Sequence, residues 1–327
     1  MEQQIQSLQN SNSDNKGNSI PTSTSESITV LDIEKSIAQS PFKQTYFKFL
    51  GKTRRLPDSE GVCGIVTTFL LFFIGTIMYE SVCFSIVKRD NNTSTFKISK
   101  KPFLVCGIIG IITYIISQIS YFDITTSIPG YQITNKMSEE EYKKSPPVKE
   151  YKGVKFVLKY CPTCKIARDV RTFHCRYCNM CIERHDHHCG YVSNCIGKNN
   201  TKKFFYFLIA ACIHCLLVVG MCFYTFISVY IEINMLDQNN EVGFYTVICG
   251  VLIIFVGFFL VFIITMICTH VSLISKNQTT NEEIRKKYNN SIFDKGTREN
   301  CKEVFCVQED VFIPEEWQLE KAELMIK

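Results

Sequence analysis

Four long apolar stretches constrain the fold of this 327-residue chain more than any other feature. A helix needs roughly 20 apolar residues to cross the ~30 Å hydrocarbon core of a bilayer. None of the four stretches contains Lys or Arg, and they run from Val62 to Ile86, Phe103 to Phe122, Phe204 to Ile231 and Phe244 to Ile274. Acidic residues are confined to the ends of the stretches, at Glu80 and Glu232, and helices inside a large soluble protein rarely stay so free of charge for so long. The sequence therefore predicts an α-helical polytopic membrane protein with four transmembrane helices.

Basic residues between the stretches predict the orientation, because cytosolic loops of membrane proteins are enriched in Lys and Arg. Such residues precede the first stretch, fill the loop between the second and third, and follow the fourth, whereas the loop between the third and fourth has none. The segment from Lys88 to Lys101 carries five basic residues and disagrees with this pattern. The larger asymmetry places both termini and the long loop in the cytosol.

This pattern divides the chain into five regions. They are a disordered and juxtamembrane cytosolic N-terminus (1–60), the first two transmembrane helices (61–123), a cytosolic Cys/His-rich domain between helices 2 and 3 (124–203), the last two transmembrane helices (204–275) and a cytosolic tail (276–327). Residues 1–27 are polar and of low complexity, which is typical of disorder. The segment from Ile28 to Leu50 mixes apolar and charged residues and fits either an interfacial helix or a plain linker.

The cytosolic loop concentrates seven cysteines and four histidines into the 35 residues from Cys161 to Cys195. Two cysteines three residues apart can close on one zinc ion, and a structural zinc site takes four ligands. His174 and Cys175 are adjacent, so they are expected to serve different ions in two interleaved sites. One predicted site consists of Cys161, Cys164, His174 and Cys181, and the other of Cys175, Cys178, His188 and Cys195. Each of the two zinc ions would have all four coordination positions filled by protein ligands. The sites are therefore predicted to be structural, with no open position for metal-catalysed hydrolysis.

Three residues of the cluster remain outside this ligand count, namely His185, His187 and Cys189, and they lie beside Asp186. A thiol next to an imidazole next to a carboxylate is the arrangement of an activated nucleophile. The segment is therefore interpreted as a zinc-bound scaffold that presents one reactive cysteine.

The run Asp186-His187-His188-Cys189 lies in a C-x2-C-x9-H-C-x2-C-x2-C-x4-DHHC-x5-C frame, which resembles the DHHC family of membrane protein S-acyltransferases (palmitoyltransferases). The resemblance covers most of residues 60–305. It extends to Asn194-Cys195-Ile196-Gly197, Asn200, Pro129-Gly130, the TTxE motif Thr279-Thr280-Asn281-Glu282 and Asn300. Departures from the family pattern are Gly190-Tyr191 for Pro-Trp, Ile128 for an acidic residue, His185 for an aromatic residue, Asp169 for proline and Thr201 for tyrosine.

The resemblance implies a protein S-palmitoyltransferase that uses acyl-CoA (palmitoyl-CoA) as co-substrate. Cys189 would carry the acyl group as a thioester, His187 would take its proton, and Asp186 would orient His187. The implied partners are the bilayer and proteins with cytosolic cysteines near the membrane, in the ER, Golgi or plasma membrane. Candidate residues for the CoA phosphates are Arg168, Lys198, Lys202 and Lys203, although a basic face attracted to anionic lipid headgroups fits them equally well.

Two other classes of function compete with this interpretation. A zinc-containing membrane scaffold without catalysis requires Cys189 to be inert, yet nothing structural calls for a further cysteine between these side chains. A channel or transporter is disfavoured because the stretches lack the buried charges that mark a substrate path. The net charge of +5 reflects the cytosolic loops and gives no reason to expect nucleic-acid binding.

Overall fold

The computed structural model describes residues 46–49, 52–55, 59–88, 100–235, 240–286 and 292–306. Its helices are α1 (Ser59–Lys88), α2 (Lys100–Thr125), α3 (Glu139–Lys144), α4 (Thr201–Met235), α5 (Asn240–Ser275), α6 (Thr280–Arg285) and α7 (Thr297–Phe305). Each predicted apolar stretch lies inside one of the four long helices. The predicted helical class is therefore confirmed.

Three segments of these helices are long and apolar enough to cross a membrane, namely Lys100–Thr125, Thr201–Ser228 and Thr246–Ser275. In α1, the described side chains contribute the shorter apolar run Phe72–Phe84. The chain is thus a polytopic membrane protein, and a fourth crossing by α1 stays a prediction. Helix α4 is the most enclosed of the three because it packs against both α2 and α5.

Short antiparallel hairpins make up the described strands. They are β1 (Tyr46–Phe49) with β2 (Lys52–Arg55), β3 (Val148–Tyr151) with β4 (Val154–Val157), β5 (Lys159–Cys161) with β6 (Ile166–Arg168), β7 (Phe173–Cys175) with β8 (Met180–Ile182), and β9 (His187–Cys189) with β10 (Asn194–Ile196). Isolated two-stranded hairpins are marginal in water. The cysteine-rich domain therefore depends on interactions between its hairpins, and the core of β7, β8 and β10 is formed largely by its cysteines together with Met180 and Ile182.

Two fully buried asparagines fasten this domain to the end of α2. The side-chain amide of Asn194 donates to the carbonyl oxygens of Ile124 (3.0 Å) and Ser127 (2.8 Å). That of Asn200 donates to Ser127 Oγ and to the carbonyl of Cys195, both at 2.9 Å. Removing either amide would leave buried polar groups with fewer hydrogen-bond partners, which costs stability. The segment around β10 is thereby fixed against the end of α2.

The hairpin before α1 adds a second attachment. Arg54 forms an ion pair with Asp123, and the fully buried Arg55 donates to the carbonyl of Ser193 at 2.7 Å and to Asn194 Oδ1 at 3.2 Å. Residues 46–49 form a strand, so the alternative of an interfacial helix is wrong for these four residues. The rest of the segment from Ile28 to Leu50, and the disorder predicted for residues 1–27, lie outside the described residues.

Candidate active site

Strand β9 sorts three consecutive residues onto two faces. Side chains alternate along a strand, so His187 and Cys189 point to one side and His188 to the other. Cys195 of β10 lies directly opposite His188 in the pairing register. The alternation of side chains along β9 therefore places the ligand His188 on one face, and His187 and Cys189, which lie outside the predicted metal sites, on the other.

The first predicted ligand set comes together around His174. Its Nδ1 lies 3.5, 3.4 and 3.8 Å from the sulfur atoms of Cys161, Cys164 and Cys181. In a tetrahedral site with Zn–S near 2.3 Å and Zn–N near 2.0 Å, a nitrogen and a sulfur ligand are about 3.5 Å apart. The four side chains can hold a metal ion, and both the donor atoms and their spacing fit zinc.

The second set repeats this geometry around His188. Its Nδ1 lies 3.7, 3.5 and 3.6 Å from the sulfur atoms of Cys175, Cys178 and Cys195. In each set the residue after the second cysteine of the CxxC pair, Lys165 or Asn179, has a φ of +51°. Such a left-handed residue is uncommon outside glycine, and here it turns the chain tightly behind two ligands. The structure thus brings together both predicted sets in the interleaved order.

Asp186 and His187 form a hydrogen-bonded pair. His187 Nδ1 lies 2.6 Å from Asp186 Oδ2, and Thr280 donates to the same carboxylate through its backbone N–H (2.7 Å) and its hydroxyl (2.8 Å). Burial would raise the pKa of Asp186, but the hydrogen bond and charge of His187 lower it to about 2. Burial would lower the pKa of His187, but hydrogen bonds with Asp186 and Cys189 raise it to about 10. His187 is therefore an unusually strong proton acceptor.

Cys189 lies between this pair and an apolar cavity enclosed by α1, α4 and α5. On α4 the lining runs from Phe204 to Val218, and positions fourteen residues apart on a helix are separated by about 21 Å. Near the far end, His214 is hydrogen-bonded to Thr76 of α1 and Thr113 of α2, both at 3.0 Å. The cavity is therefore elongated, and Cys189 is one of the residues that line it.

The TTxE segment positions Thr280 from more than 90 residues away. Thr279 and Glu282 form a capping box that begins α6. Glu282 also makes a buried two-point ion pair with Arg171, at 2.6 and 2.8 Å. Bidentate arginine–carboxylate pairs fix orientation as well as distance. This pair holds α6 on the cysteine-rich domain, with Thr280 at Asp186.

Sequence reasoning missed His270 of α5. His270 is buried, and its ring centroid is 6.1 Å from that of His187 and 5.2 Å from that of Phe204. A ring nitrogen of His270, a ring nitrogen of His187 and a carboxylate oxygen of Asp186 all lie within 4.8 Å of one another. A single histidine in an apolar helix gives no sequence signal for such a contact.

The remaining predicted residues lie around this centre. Lys198 is exposed and pairs with Glu183 at 2.9 Å, whereas Lys203 is 3.8 Å from Asp123. Arg168 and Lys202 are half-buried. His185 is turned toward Cys195, so its imidazole is not aimed at the Cys189 thiol.

Comparison with known proteins agrees with this geometry. Residues 155–287 match the DHHC palmitoyltransferase family. The chain is 37% identical over 166 residues to "Palmitoyltransferase ZDHHC14" of Homo sapiens, which covers 48% of this chain and 32% of that protein. It is 36% identical over 167 residues to "Probable protein S-acyltransferase 7" of Arabidopsis thaliana, covering 49% and 37%. A longer match, 29% identical over 258 residues, is to "Palmitoyltransferase ZDHHC8" of Drosophila melanogaster, covering 76% and 24%.

These matches cover less than two fifths of each of the three relatives. The matched region contains both ligand sets, the Asp186–His187 pair, Cys189 and the TTxE segment. The motifs of the sequence and the family match therefore agree, and residues 155–287 are a domain of the DHHC family.

Proposed function

We propose that the chain is a protein S-acyltransferase. It transfers a long-chain acyl group from acyl-CoA, through a thioester on Cys189, to cysteines of membrane-associated proteins. The observation that carries this proposal is the position of Cys189, whose thiol has a strong proton acceptor on one side and a long apolar cavity on the other.

In the first half-reaction His187 accepts the proton of Cys189, because its raised pKa makes it a strong base and Asp186 stabilises the resulting imidazolium. The Cys189 sulfur attacks the thioester carbonyl carbon of acyl-CoA and forms the new S–C bond. The bond to the CoA sulfur breaks, and CoA leaves with the proton from His187. The acyl chain then occupies the cavity.

The second half-reaction repeats these steps with a substrate cysteine. His187 accepts the proton of the substrate thiol, and the substrate sulfur attacks the thioester on Cys189. The acyl group moves to the substrate, and Cys189 leaves as a thiolate that recovers the proton from His187. No net proton or electron is consumed by the transfer itself.

Each ligand set is proposed to hold one zinc ion. Three thiolates and one imidazole complete a tetrahedral site without an open position, so the role of the metal is to fix the hairpins. His188 is consumed as a ligand, and this leaves His187 as the base on the opposite face of β9. The positive charge of Arg168, Lys198, Lys202 and Lys203 is proposed to attract the CoA phosphates.

The active site is proposed to face the cytosol, since the loop that carries it lies on the predicted cytosolic side with both termini. Thiols remain reduced there, as metal binding and thioester chemistry both require. The membrane is expected to be that of the ER, the Golgi or the cell surface.

The competing function is a zinc-containing membrane scaffold without catalysis. The purified chain is incubated with a clickable palmitoyl-CoA analogue, and wild type is compared with Cys189→Ser. We expect hydroxylamine-labile label on the wild type only, with two zinc ions per chain in both proteins, one for each ligand set. Unlabelled wild type with full zinc content would favour the scaffold.

A further inference from the structure

His185 has no part in the proposed reaction, although it directly precedes Asp186. It is buried, with 8% of its surface exposed, and its ring packs against Phe173 with centroids 6.2 Å apart. Its Nε2 lies 3.7 Å from the sulfur atom of Cys195, a member of the second ligand set. The imidazole thus contacts the outside of that set.

The other ring nitrogen indicates which tautomer is present. Nδ1 of His185 lies 3.0 Å from Nδ2 of Asn281, and an amide nitrogen can only donate. Nδ1 therefore accepts, and the neutral imidazole carries its hydrogen on Nε2. The opposite tautomer would turn the Nε2 lone pair against the Cys195 thiolate. Nε2–H is thus directed at the Cys195 sulfur.

Asn281 belongs to the same turn that holds the neighbouring aspartate. Thr280 donates twice to Asp186, and Asn281 donates to His185. Two consecutive residues of one segment are therefore bound by two consecutive residues of another. His185 extends this double contact to the second ligand set through Cys195.

We propose that His185 is a positioning residue, an N–H donor to the Cys195 thiolate that stabilises the second metal centre and joins it to the Thr280–Asn281 turn. The proposal rests on the zinc-binding part of the proposed function and not on acyl transfer. Three thiolates around one Zn²⁺ leave a net negative charge, which a directed N–H group stabilises. The aromatic residue that the family commonly has here could pack on Phe173 but offers no such donor at this position.

The test measures zinc release from the purified, zinc-loaded full chain to a chromophoric chelator, with one kinetic phase expected from each ligand set. His185→Phe should release one of the two ions about tenfold faster, the lower end of what loss of an outer-shell partner costs. His185→Gln should release zinc nearly as slowly as wild type, because its amide can replace the Nε2 donor. Tyr177→Leu is the matched control, since the Tyr177 ring stacks on His188 at 4.7 Å but gives no N–H to a thiolate, and it should leave release unchanged.

Alkylation mapped by mass spectrometry identifies the affected set, and Cys195 should be modified earlier in His185→Phe than in wild type. Unchanged release in His185→Phe, equal acceleration of both ions, or failure of His185→Gln to restore slow release would each overturn the proposal. If His185→Phe does not fold, Asn281→Leu is used instead, because it leaves His185 and all four ligands of the second set unchanged. This variant should speed the release of the same ion to a smaller extent. An unchanged rate in that variant would also overturn it. A wild-type chain that holds no zinc would instead contradict the proposed function.

Discussion

The two sides of Cys189 differ in chemistry and in the kind of order they impose. Toward the cysteine-rich domain lie buried polar groups at fixed distances, with Asp186 bound by His187 and by two donors of Thr280. Toward the membrane lies a mostly apolar cavity, and His214 is about 15 Å along α4 from Phe204. Directed hydrogen bonds determine how fast a thiol reacts, whereas an apolar cavity determines which acyl group fits. Substitutions on the two sides should therefore change different measurements.

The largest effect is expected on the polar side, from His187→Ala. Loss of a general base typically costs ~10²–10⁴-fold in rate, and autoacylation from acyl-CoA should fall by that amount while the preference for acyl chain length stays the same. His270→Ala is the matched control, because its ring is 6.1 Å from that of His187 whereas the hydrogen bond with Cys189 is made by His187, and the loss of rate should be smaller. A near-normal rate in His187→Ala would remove the assigned base.

Asp186→Asn should have a smaller effect that depends on pH. The carboxylate helps raise the pKa of His187 to about 10, so its loss lowers that pKa. Less of the thiol proton then passes to His187, and more must pass to hydroxide, whose concentration rises with pH. The rate of the variant relative to wild type should consequently rise from pH 7 to pH 9. Asp169→Asn, which removes an ion pair with Lys149 at the domain surface, should show no such trend, and a constant ratio for Asp186→Asn would contradict the argument.

Much of the polar side could be predicted from local spacing. The CxxC pairs, the adjacency of His174 and Cys175, and the DHHC run lie within 35 residues, and metal geometry is restrictive enough to sort them. The four helices followed from apolar length alone. Contacts such as Arg171 with Glu282, Thr280 with Asp186, and Arg55 with Asn194 could not be predicted, because each joins segments about 90 to 140 residues apart.

The membrane side was far less predictable. Its lining comes from single apolar residues of α1, α4 and α5, and such residues look the same in sequence whether they face lipid, a neighbouring helix or a cavity. The hydrogen bonds of His214 also join three different helices. The length of the cavity is therefore visible only in the packing of the helices. The sequence alone gives no basis for predicting an acyl-chain preference.

On the membrane side, His214→Ala should change selectivity more than rate. It removes a large side chain near the end of the cavity, together with its hydrogen bonds to Thr76 and Thr113. Autoacylation measured over a series of saturated acyl-CoA lengths should shift several-fold toward chains longer than palmitoyl, with the palmitoyl rate largely kept. Cys212→Ala, a half-buried position on the same helix that is outside the cavity lining, is the control. An unchanged length profile would mean that the acyl chain ends elsewhere.

The smallest effect is expected where the two sides meet, at Gly190-Tyr191. Apart from its two chain neighbours, no heavy atom of the described residues comes within 4 Å of the Cβ position at Gly190, and its φ is outside the left-handed region, so the backbone there tolerates a side chain. The backbone carbonyl of Tyr191 accepts from Tyr121 (2.9 Å) and Thr68 (3.3 Å), contacts that tryptophan can keep. Tyr191 as a residue is 55% exposed and its ring is tilted against Phe262, which leaves room for a larger ring. Proline restricts the backbone beside the nucleophile where glycine leaves it free.

Gly190→Pro with Tyr191→Trp should therefore preserve or modestly raise autoacylation with palmitoyl-CoA. Collapse of activity in a folded double variant with full zinc content would show that the reaction depends on the freedom of Gly190 or on the Tyr191 hydroxyl.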